Sequence, residues 1–483
     1  MELDCLKNVF MEREDNLLRI TVKKNEILEE CYFEEEAEGP IPDEIYVAVI
    51  KSLVPAIKCA FVDIGFSKNA FLYLDSKFKN TKLKKGKMLL VQVLKQASGS
   101  KGAKVTSVIS IPGRYSVIQT LNNDISFSKK IVNEAFKNEL LSVVDRPDDA
   151  GVMIRTNAEN VSVDVINKEI TRLHEVYKKI INDAKYNISP GRVFNDGGIL
   201  GKVLRDRIDD QTSKIIVNNI EDYNYIADYL KNTIDVNPEL ILHNETRTLF
   251  AFYGIEQEIL KLAKSKVYLN CGGFIVIDKT EAMFVIDVNS GKNVENNTID
   301  KTAFTTNIEA ASVICRHIRL RNLSGIIVID FIDMQDEIKK KKIIDTLKEG
   351  LEGDKSKSVV YYFTQLNLVQ ITRRRSGRSI DEYIEEDCRQ CQGRGRYVKF
   401  SYITLLIRNE VLRLESERRV DEIFIKLDPH YKKNVEENID QFKKGIEGND
   451  KEVYVEYVTV EGYFKVDAVI FKSQKENILE LKI

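Results

Sequence analysis

The spacing of apolar positions changes several times along the chain, and each change marks a new element. Over residues 1–38, "NLLRITVKKNEILEECYFEEE" alternates apolar and polar residues, the period of half-buried strands. Residues 39–112 hold short apolar runs broken by Pro and Gly. "EIYVAVIKSLVPAIKCAFVDIGFSKNAFLYLDS" followed by "KMLLVQVLKQASGSKGAKVTSVISI" predicts a small β-barrel closed by a Gly/Ser/Lys hairpin. Between 113 and 205 strands mix with a helix near 158–184, and "VMIRTNA" reads as a strand ending at Arg155 and Thr156. Strand and helix alternate over 206–265.

The segment 266–385 is the most legible. "GGFIVIDKTEAMFVIDVNSGK" predicts a hairpin of two apolar strands. "KTAFTTNIEAASVICRHIRLRN" predicts a helix with Phe304, Ile308, Ala311, Cys315 and Ile318 spaced 4-3-4-3 on one face. "GIIVIDFIDM" reads as a buried strand, Lys339–Leu351 as a helix, and "KSVVYYFTQLNLVQITRRR" as a strand with a basic end. A short link at 386–397 precedes residues 398–483, where a helix at 401–419 and several strands predict a small α+β domain. The fold class is α/β and multidomain.

Two apolar runs end on carboxylates. In "FVIDVNSGK" the run meets Asp287, with Asn289 two places on, and in "GIIVIDFIDM" it meets Asp330. Residues i and i+2 of a strand share a face, so Asp287 and Asn289 project together. An ionised carboxylate in an apolar setting is costly alone. A hard divalent cation such as Mg²⁺ takes one or two carboxylates plus waters, so two strand-end aspartates suit it, with Asn289 fixing one of them by hydrogen bonding. An Asp at a strand end also serves as a turn or capping residue, and that reading stays open for each alone. Asp333, assigned to the other strand face, reads as structural, and Glu281 as an outer neighbour of the site.

Net charge is −2, which excludes a globally basic nucleic-acid binder but not local patches. Lys77–Lys87 and Arg373–Arg378 are basic segments. The seven cysteines are mostly single, which argues against a disulfide framework and for a reducing, cytoplasmic setting. No leader-like start and no run long enough for a membrane helix is visible. The four histidines form no acid/base pattern, and His317 reads as structural. Any catalysis therefore rests on carboxylates and metal. Cys388 and Cys391 form the one CxxC. It supplies two of the four ligands of a structural Zn²⁺, completed by a twin subunit, or else two reduced thiols in a turn.

Taken together, "GGFIVIDKTEAMFVIDVNSGK", "TNIEAASVICRHIRLRNLSGIIVIDFIDM", "FTQLNLVQITRRR", "CRQCQGRG" and "AFVDIGFSKNAFL" resemble the ribonuclease E/G family of bacterial endoribonucleases, and the length is like that of its G branch. The resemblance implies an RNase H-like region in two parts, 1–38 and 206–265. An S1 (OB-type) barrel at 39–112 and a 5′-sensor at 113–205 interrupt it. A DNase I-like catalytic domain at 266–385, a zinc link at 386–397 and a small C-terminal domain at 398–483 follow. It implies a Mg²⁺-dependent endoribonuclease that cleaves single-stranded RNA, such as ribosomal RNA precursors and messenger RNA. The ends would be 3′-hydroxyl and 5′-phosphate, and 5′-monophosphorylated RNA would stimulate cleavage.

By the same resemblance Asp287 and Asp330 hold Mg²⁺ and Asn289 orients the site. Gly113, Val117, Lys129, Arg155 and Thr156 line a pocket for the RNA 5′-phosphate, Lys129 standing where the family often has arginine. Phe61 and Phe71 stack on bases and Lys101 adds a basic contact, although both Phe side chains would also suit a barrel core. Arg373, Arg374 and Arg375 contact phosphates near the active site. Cys388 and Cys391 share Zn²⁺ between two copies of the chain, giving a homodimer or a tetramer. Two other readings are a non-catalytic RNA-binding regulator that keeps the fold and a DNA nuclease with the same metal chemistry.

Overall fold

Alternation along the strands decides which face of each sheet is buried. The computed structural model describes residues 6–35, 39–74, 83–97, 101–233, 236–291, 299–354, 356–375, 377–386, 395, 398–417, 419–460, 463–469 and 478–483. Two units are present, Met1–Glu385 and Glu386–Ile483.

In the first unit, strands remote in sequence share one five-stranded sheet. Its order is Glu239–Leu242, Thr212–Val217, Lys7–Glu14, Leu17–Lys24, Ile27–Glu35. Lys7–Glu14 pairs in parallel with Thr212–Val217 across roughly 200 residues, while the three N-terminal strands run as an antiparallel meander. Val9, Met11, Ile20, Ile215 and Val217 are buried on one face, and Phe10, Leu28, Cys31 and Ile216 on the other.

The chain between these two segments makes a five-stranded closed barrel. Ile45–Val54 pairs with both Cys59–Asp63 and Met88–Lys95, and Ala70–Tyr73 and Lys104–Thr106 complete the ring. Closure removes the sheet edges. Ala48, Ile50, Ala60, Val62, Ala70, Leu72, Val91 and Val105 fill the inside. A four-stranded sheet follows, in the order Ile125–Phe127, Gly151–Ile154, Ser116–Gln119, Ser110–Pro112. The helix Val163–Tyr186 packs on it through Ile166, Ile170, Leu173, Tyr177 and Ile180, one stripe at helical spacing.

The last sheet of this unit has six strands in the order Lys266–Tyr268, Phe274–Lys279, Met283–Asn289, Gly325–Asp330, Leu368–Arg373, Ser358–Val360. Its one parallel pair is Met283–Asn289 with Gly325–Asp330, joined by the helix Ile299–Leu320. One face is core: Ile275, Ile277, Ile286, Val288, Ile327, Ile329, Val369 and Ile371 pack against Ala311, Ile314, Cys315, Ile318, Ile344 and Leu347 of the helices Ile299–Leu320 and Glu337–Gly350. The opposite face is open, with Val285 36% and Ile326 47% exposed. The strand expected over 325–334 is therefore shorter and buried on one side only. It ends at Asp330.

The second unit packs the helix Phe400–Glu417 through Ile403, Ile407 and Val411 onto a three-stranded sheet. The sheet order is Glu452–Tyr457, Glu422–Leu427, Phe464–Ala468. Among the described residues no helix is long and apolar enough to cross a membrane.

His317 is buried inside the first unit, where its Nδ1 accepts from Arg321 Nε at 3.1 Å. Burial, then the charges of Arg321 and Arg316, push its pKa down to about 3. The folded ring therefore stays neutral while the unfolded chain takes up a proton below about 6.5. Stability is lost as pH falls from that value toward 3, by about 1.4 kcal/mol per pH unit. Denaturant unfolding of His317→Gln between pH 6 and 4 should show a slope shallower than wild type by that amount. Equal slopes would mean that the ring titrates normally in the fold.

Candidate active site

The parallel pair fixes the acidic residues. Asp287 and Asp330 are register partners at the carboxyl ends of adjacent strands, so their Cα atoms lie within roughly 5 Å. Both face the open side of the sheet and are exposed. Sites in open α/β sheets form beyond the carboxyl ends of parallel strands. Asn289 shares that face and donates from Nδ2 to Asp287 Oδ2 at 2.7 Å. Burial, then the carboxylates of Asp287 and Asp333, push the Asp330 carboxyl above its usual range. Among the described residues neither aspartate has a cationic partner.

The loop beyond Asp330 is clamped. Asn307 is fully buried on the helix Ile299–Leu320; its Nδ2 donates to the Ile332 carbonyl at 2.8 Å and its Oδ1 accepts from the Ile332 amide at 3.1 Å. Asp333 follows, accepting from Asn367 Nδ2 at 3.1 Å. Its assignment to the opposite strand face fails because the strand has already ended, so alternation no longer applies. Glu281 lies in the hairpin turn at the far end of the Met283–Asn289 strand and is not a neighbour of the pair. Gly273 lets the preceding turn close: a Cβ there would meet the Asn289 carbonyl at 2.7 Å and the Thr306 methyl at 2.9 Å.

On the barrel, Phe61 and Phe71 are register partners and meet edge to face, centroids 6.0 Å apart. Their strand neighbours Ala60, Val62, Ala70 and Leu72 are the buried ones, so both rings point outward and do not fill the core. Lys104 is the register partner of Phe71, and exposed Tyr73 is on the same outer face. Lys101 is exposed just before that strand.

A concavity of about 580 Å³ is lined by Lys129, Arg155 and Thr156 with Ser126, Ser128 and Gln119. Arg155 Nη1 donates to the Gly113 carbonyl and pairs with Asp206 at 2.8 Å. Thr156 Oγ1 donates to Ser128 Oγ at 3.2 Å. Gly113 and Val117 do not line this cavity. Gly113 sits against buried Glu169, whose carboxylate would lie 2.6 Å from a Cβ there and accepts from the Arg114, Tyr115 and Ser116 amides at 2.7–2.8 Å. Val117 is the register partner of Met153, which lines the cavity.

The arginine cluster divides. Arg373 is 2% exposed and makes a bidentate pair with buried Asp354 at 2.6 and 2.9 Å. Its Nη1 donates to Asn322 Oδ1 and the Leu323 carbonyl. Arg374 and Arg375 are exposed. Arg373 pairs in register with Gly325, at the other end of the strand from Asp330, so the cluster lies roughly 17 Å along the sheet from the acidic pair.

Residues 110–376, more than half of the chain, match the Ribonuclease E/G family. The chain belongs to the ribonuclease E/G family. It is similar to Ribonuclease G of Salmonella typhimurium (strain SL1344), 31% identical over 424 residues, which are 83% of this chain and 87% of that protein. Ribonuclease G of Escherichia coli (strain K12) matches to the same extent. Ribonuclease E of Nostoc sp. (strain PCC 7120 / SAG 25.82 / UTEX 2576) is 32% identical over 373 residues, 74% of this chain and 54% of its own length.

Within this ribonuclease E/G chain, the structure brings Asp287, Asn289 and Asp330 together on one face. It brings Lys129, Arg155 and Thr156 together in one cavity, and Phe61 and Phe71 on one outer surface. Arg373 is corrected: its guanidinium is fully engaged inside the protein and is not a phosphate contact. Gly113 and Val117 stay at the margin of the cavity, Gly113 accepting from Arg155 and Val117 pairing with cavity-lining Met153. Cys388 and Cys391 lie outside the described residues. Asp333, Asn307, Lys104 and Tyr73 are additions; Lys104 and Tyr73 had a signal, since they fall in the barrel strands on the outward period, whereas Asn307 looked like an ordinary polar helix residue. Arg373→Met strands a buried carboxylate and should destabilise the protein by about 3–5 kcal/mol in urea unfolding. Arg374→Gln should instead leave stability unchanged and reduce the salt slope of RNA binding by about one. A weakened salt slope in the Arg373 variant with unchanged stability would reverse these roles.

Proposed function

We propose that the chain cuts single-stranded RNA in a Mg²⁺-dependent reaction at the Asp287–Asp330 pair. Its membership of the ribonuclease E/G family makes it an endoribonuclease, a hydrolase acting on RNA. The observation that carries the finer reading is the parallel register of Asp287 with Asp330 on an open face, with no cationic side chain to balance them among the described residues. That donor set fits a hard divalent ion, which accepts one or two carboxylates and keeps water on its remaining positions. When bound, such an ion stabilises developing charge on a phosphate and makes water a stronger acid. Asn289 holds Asp287 in one orientation, and Asn307 holds the loop on which Asp330 ends.

The reading extends to the substrate. The outward rings of Phe61 and Phe71 suit bases of an unpaired strand, since stacking is sequence-tolerant. The cavity of Lys129, Arg155 and Thr156 suits a terminal phosphate, with a cationic fork, an ammonium and a hydroxyl around one space. Among the described residues only Nη1 of Arg155 is engaged, which leaves the rest of the fork to donate to a phosphate. Cleavage would leave a 3′-hydroxyl and a 5′-phosphate, on substrates such as ribosomal RNA precursors and messenger RNA. Cys388 and Cys391 would give half of a Zn²⁺ site shared with a second copy.

Incubation with 5′-monophosphorylated single-stranded RNA should give Mg²⁺-dependent cuts. EDTA, Asp287→Asn or Asp330→Asn should lower the rate by at least about 10³-fold with the fold intact. RNA binding without cleavage in the wild type would instead favour a non-catalytic regulator. Thr156→Val, which leaves the Arg155 pairs in place, should narrow the rate advantage of 5′-monophosphate over 5′-hydroxyl RNA by about 10-fold. An unchanged ratio would remove the cavity from the mechanism.

A further inference from the structure

The open face that carries the acidic pair does not stop at it. Lys266 is the register partner of Val276, Val276 of Asp287, and Asp287 of Asp330. In the adjoining row Tyr268 partners Phe274, and Phe274 partners Asn289. Register partners project to the same side of a sheet, and so do residues two apart. Lys266, Tyr268 and Phe274 therefore stand on the face of Asp287 and Asn289, while Ile275 and Ile277 point into the core. Two strand spacings separate the Lys266 row from Asp287, roughly 10 Å.

These three side chains form a small constellation. The Lys266 Nζ lies 3.6 Å from the Phe274 ring centroid and 5.1 Å from that of Tyr268. The two rings are 6.4 Å apart, tilted at 60°. Tyr268 is 74% exposed. Lys266 has no carboxylate partner among the described residues, so its charge is held only by aromatic faces. A lysine alone on an edge strand is explained by protection of the edge. An exposed tyrosine packed beside a phenylalanine is not, because it adds apolar surface where edge protection removes it.

We infer that Lys266, Tyr268 and Phe274 form a subsite for a nucleotide flanking the scissile phosphate, a base stacking on Tyr268 and its phosphate meeting Lys266. This rests on the proposed cleavage at Asp287 and Asp330. A strand whose phosphate sits over that pair must continue across the same face, and toward the Lys266–Tyr268 edge it meets this constellation. Stacking platforms interleaved with cations are how unpaired strands are held.

The test uses the purified full chain, Mg²⁺ and fluorescent 5′-monophosphorylated RNA oligomers. Tyr268→Ala should raise KM about five- to tenfold and leave kcat within about twofold. Tyr268→Phe, which keeps the stacking ring, should restore KM. An abasic nucleotide next to the cut should raise KM for the wild type and add nothing in Tyr268→Ala. Lys266→Gln should lower the salt slope of binding by about one. Anisotropy with the same oligomers reads the subsite independently of cleavage. Weaker binding by Tyr268→Ala supports the subsite even if the wild type cuts nothing, a result that would count against the proposed reaction alone. Equal KM and equal binding overturn the subsite. So does a drop in sedimenting mass with RNA binding unchanged, which would assign this face to a second copy of the chain.

Discussion

The structure turns on a register between two parallel strands. Two carboxylates held within one strand spacing repel each other, and nothing in their side chains would bring them together. What does is the packing beneath: Ile286 and Ile329 are partners in the same ladder and both are fully buried. A slip of one residue would turn these isoleucines outward and the aspartates into the core. The burial of several such apolar pairs, at about 25 cal/mol per Å², outweighs the repulsion of two partly solvated charges. The site is thus paid for by the core rather than by its own contacts. Burial first, and then the repulsion of Asp287 and Asp333, raises the Asp330 carboxyl, and no cationic side chain among the described residues offsets it.

The same logic explains the neighbours that hold the pair. A strand end is where backbone pairing stops, and a loop there would be free to move. The Asn307 side chain replaces the missing strand for one residue, donating and accepting as a backbone would. It does so from a fully buried position, where an unpaired amide would cost about 1–3 kcal/mol. The Arg373–Asp354 pair has a comparable place at the other end of the strands. There it ties Leu368–Arg373 to the Asn322–Leu323 turn that leads into Gly325–Asp330.

Sequence patterns revealed those features that depend on period. The helix over 301–322 was visible because its stripe of Ala311, Cys315 and Ile318 is core, and the structure runs it over Ile299–Leu320. Asp287 and Asn289 were legible because spacing of two is a strand rule. Asp333 was misplaced because the rule was carried past the strand's last residue. Arg373 was misread because the local sequence shows three equal arginines, while only the alternation of Leu368–Arg373 says that the first turns inward. Its partner Asp354 is far along the chain and had no pattern of its own. Gly113 was tied to the pocket only by resemblance; Arg155 donates to its carbonyl, and Glu169, which packs against it, comes from a helix that no local reading joins to it. The outward direction of Phe61 and Phe71 needed the barrel to be closed before inside and outside had meaning.

Charge sets the final constraint. An acidic pair facing a polyanion is repulsive, so attraction must come from elsewhere on the chain. The net charge of −2 supplies none at long range. Among the described residues, cations stand at each candidate surface in separate places: Lys101 and Lys104 near Phe71, Lys129 and Arg155 in the cavity, Lys266 beside Phe274, Arg374 and Arg375 at the far strand end. A duplex, rigid and with closely spaced charges, would meet one of these at a time. An unpaired strand bends between them and offers bases to the aromatic rings that stand beside two of the cations. On the proposed function, dispersed charge with adjacent aromatics would favour single strands by geometry and would place affinity in several weak contacts, around a centre that would repel its substrate without a bound cation.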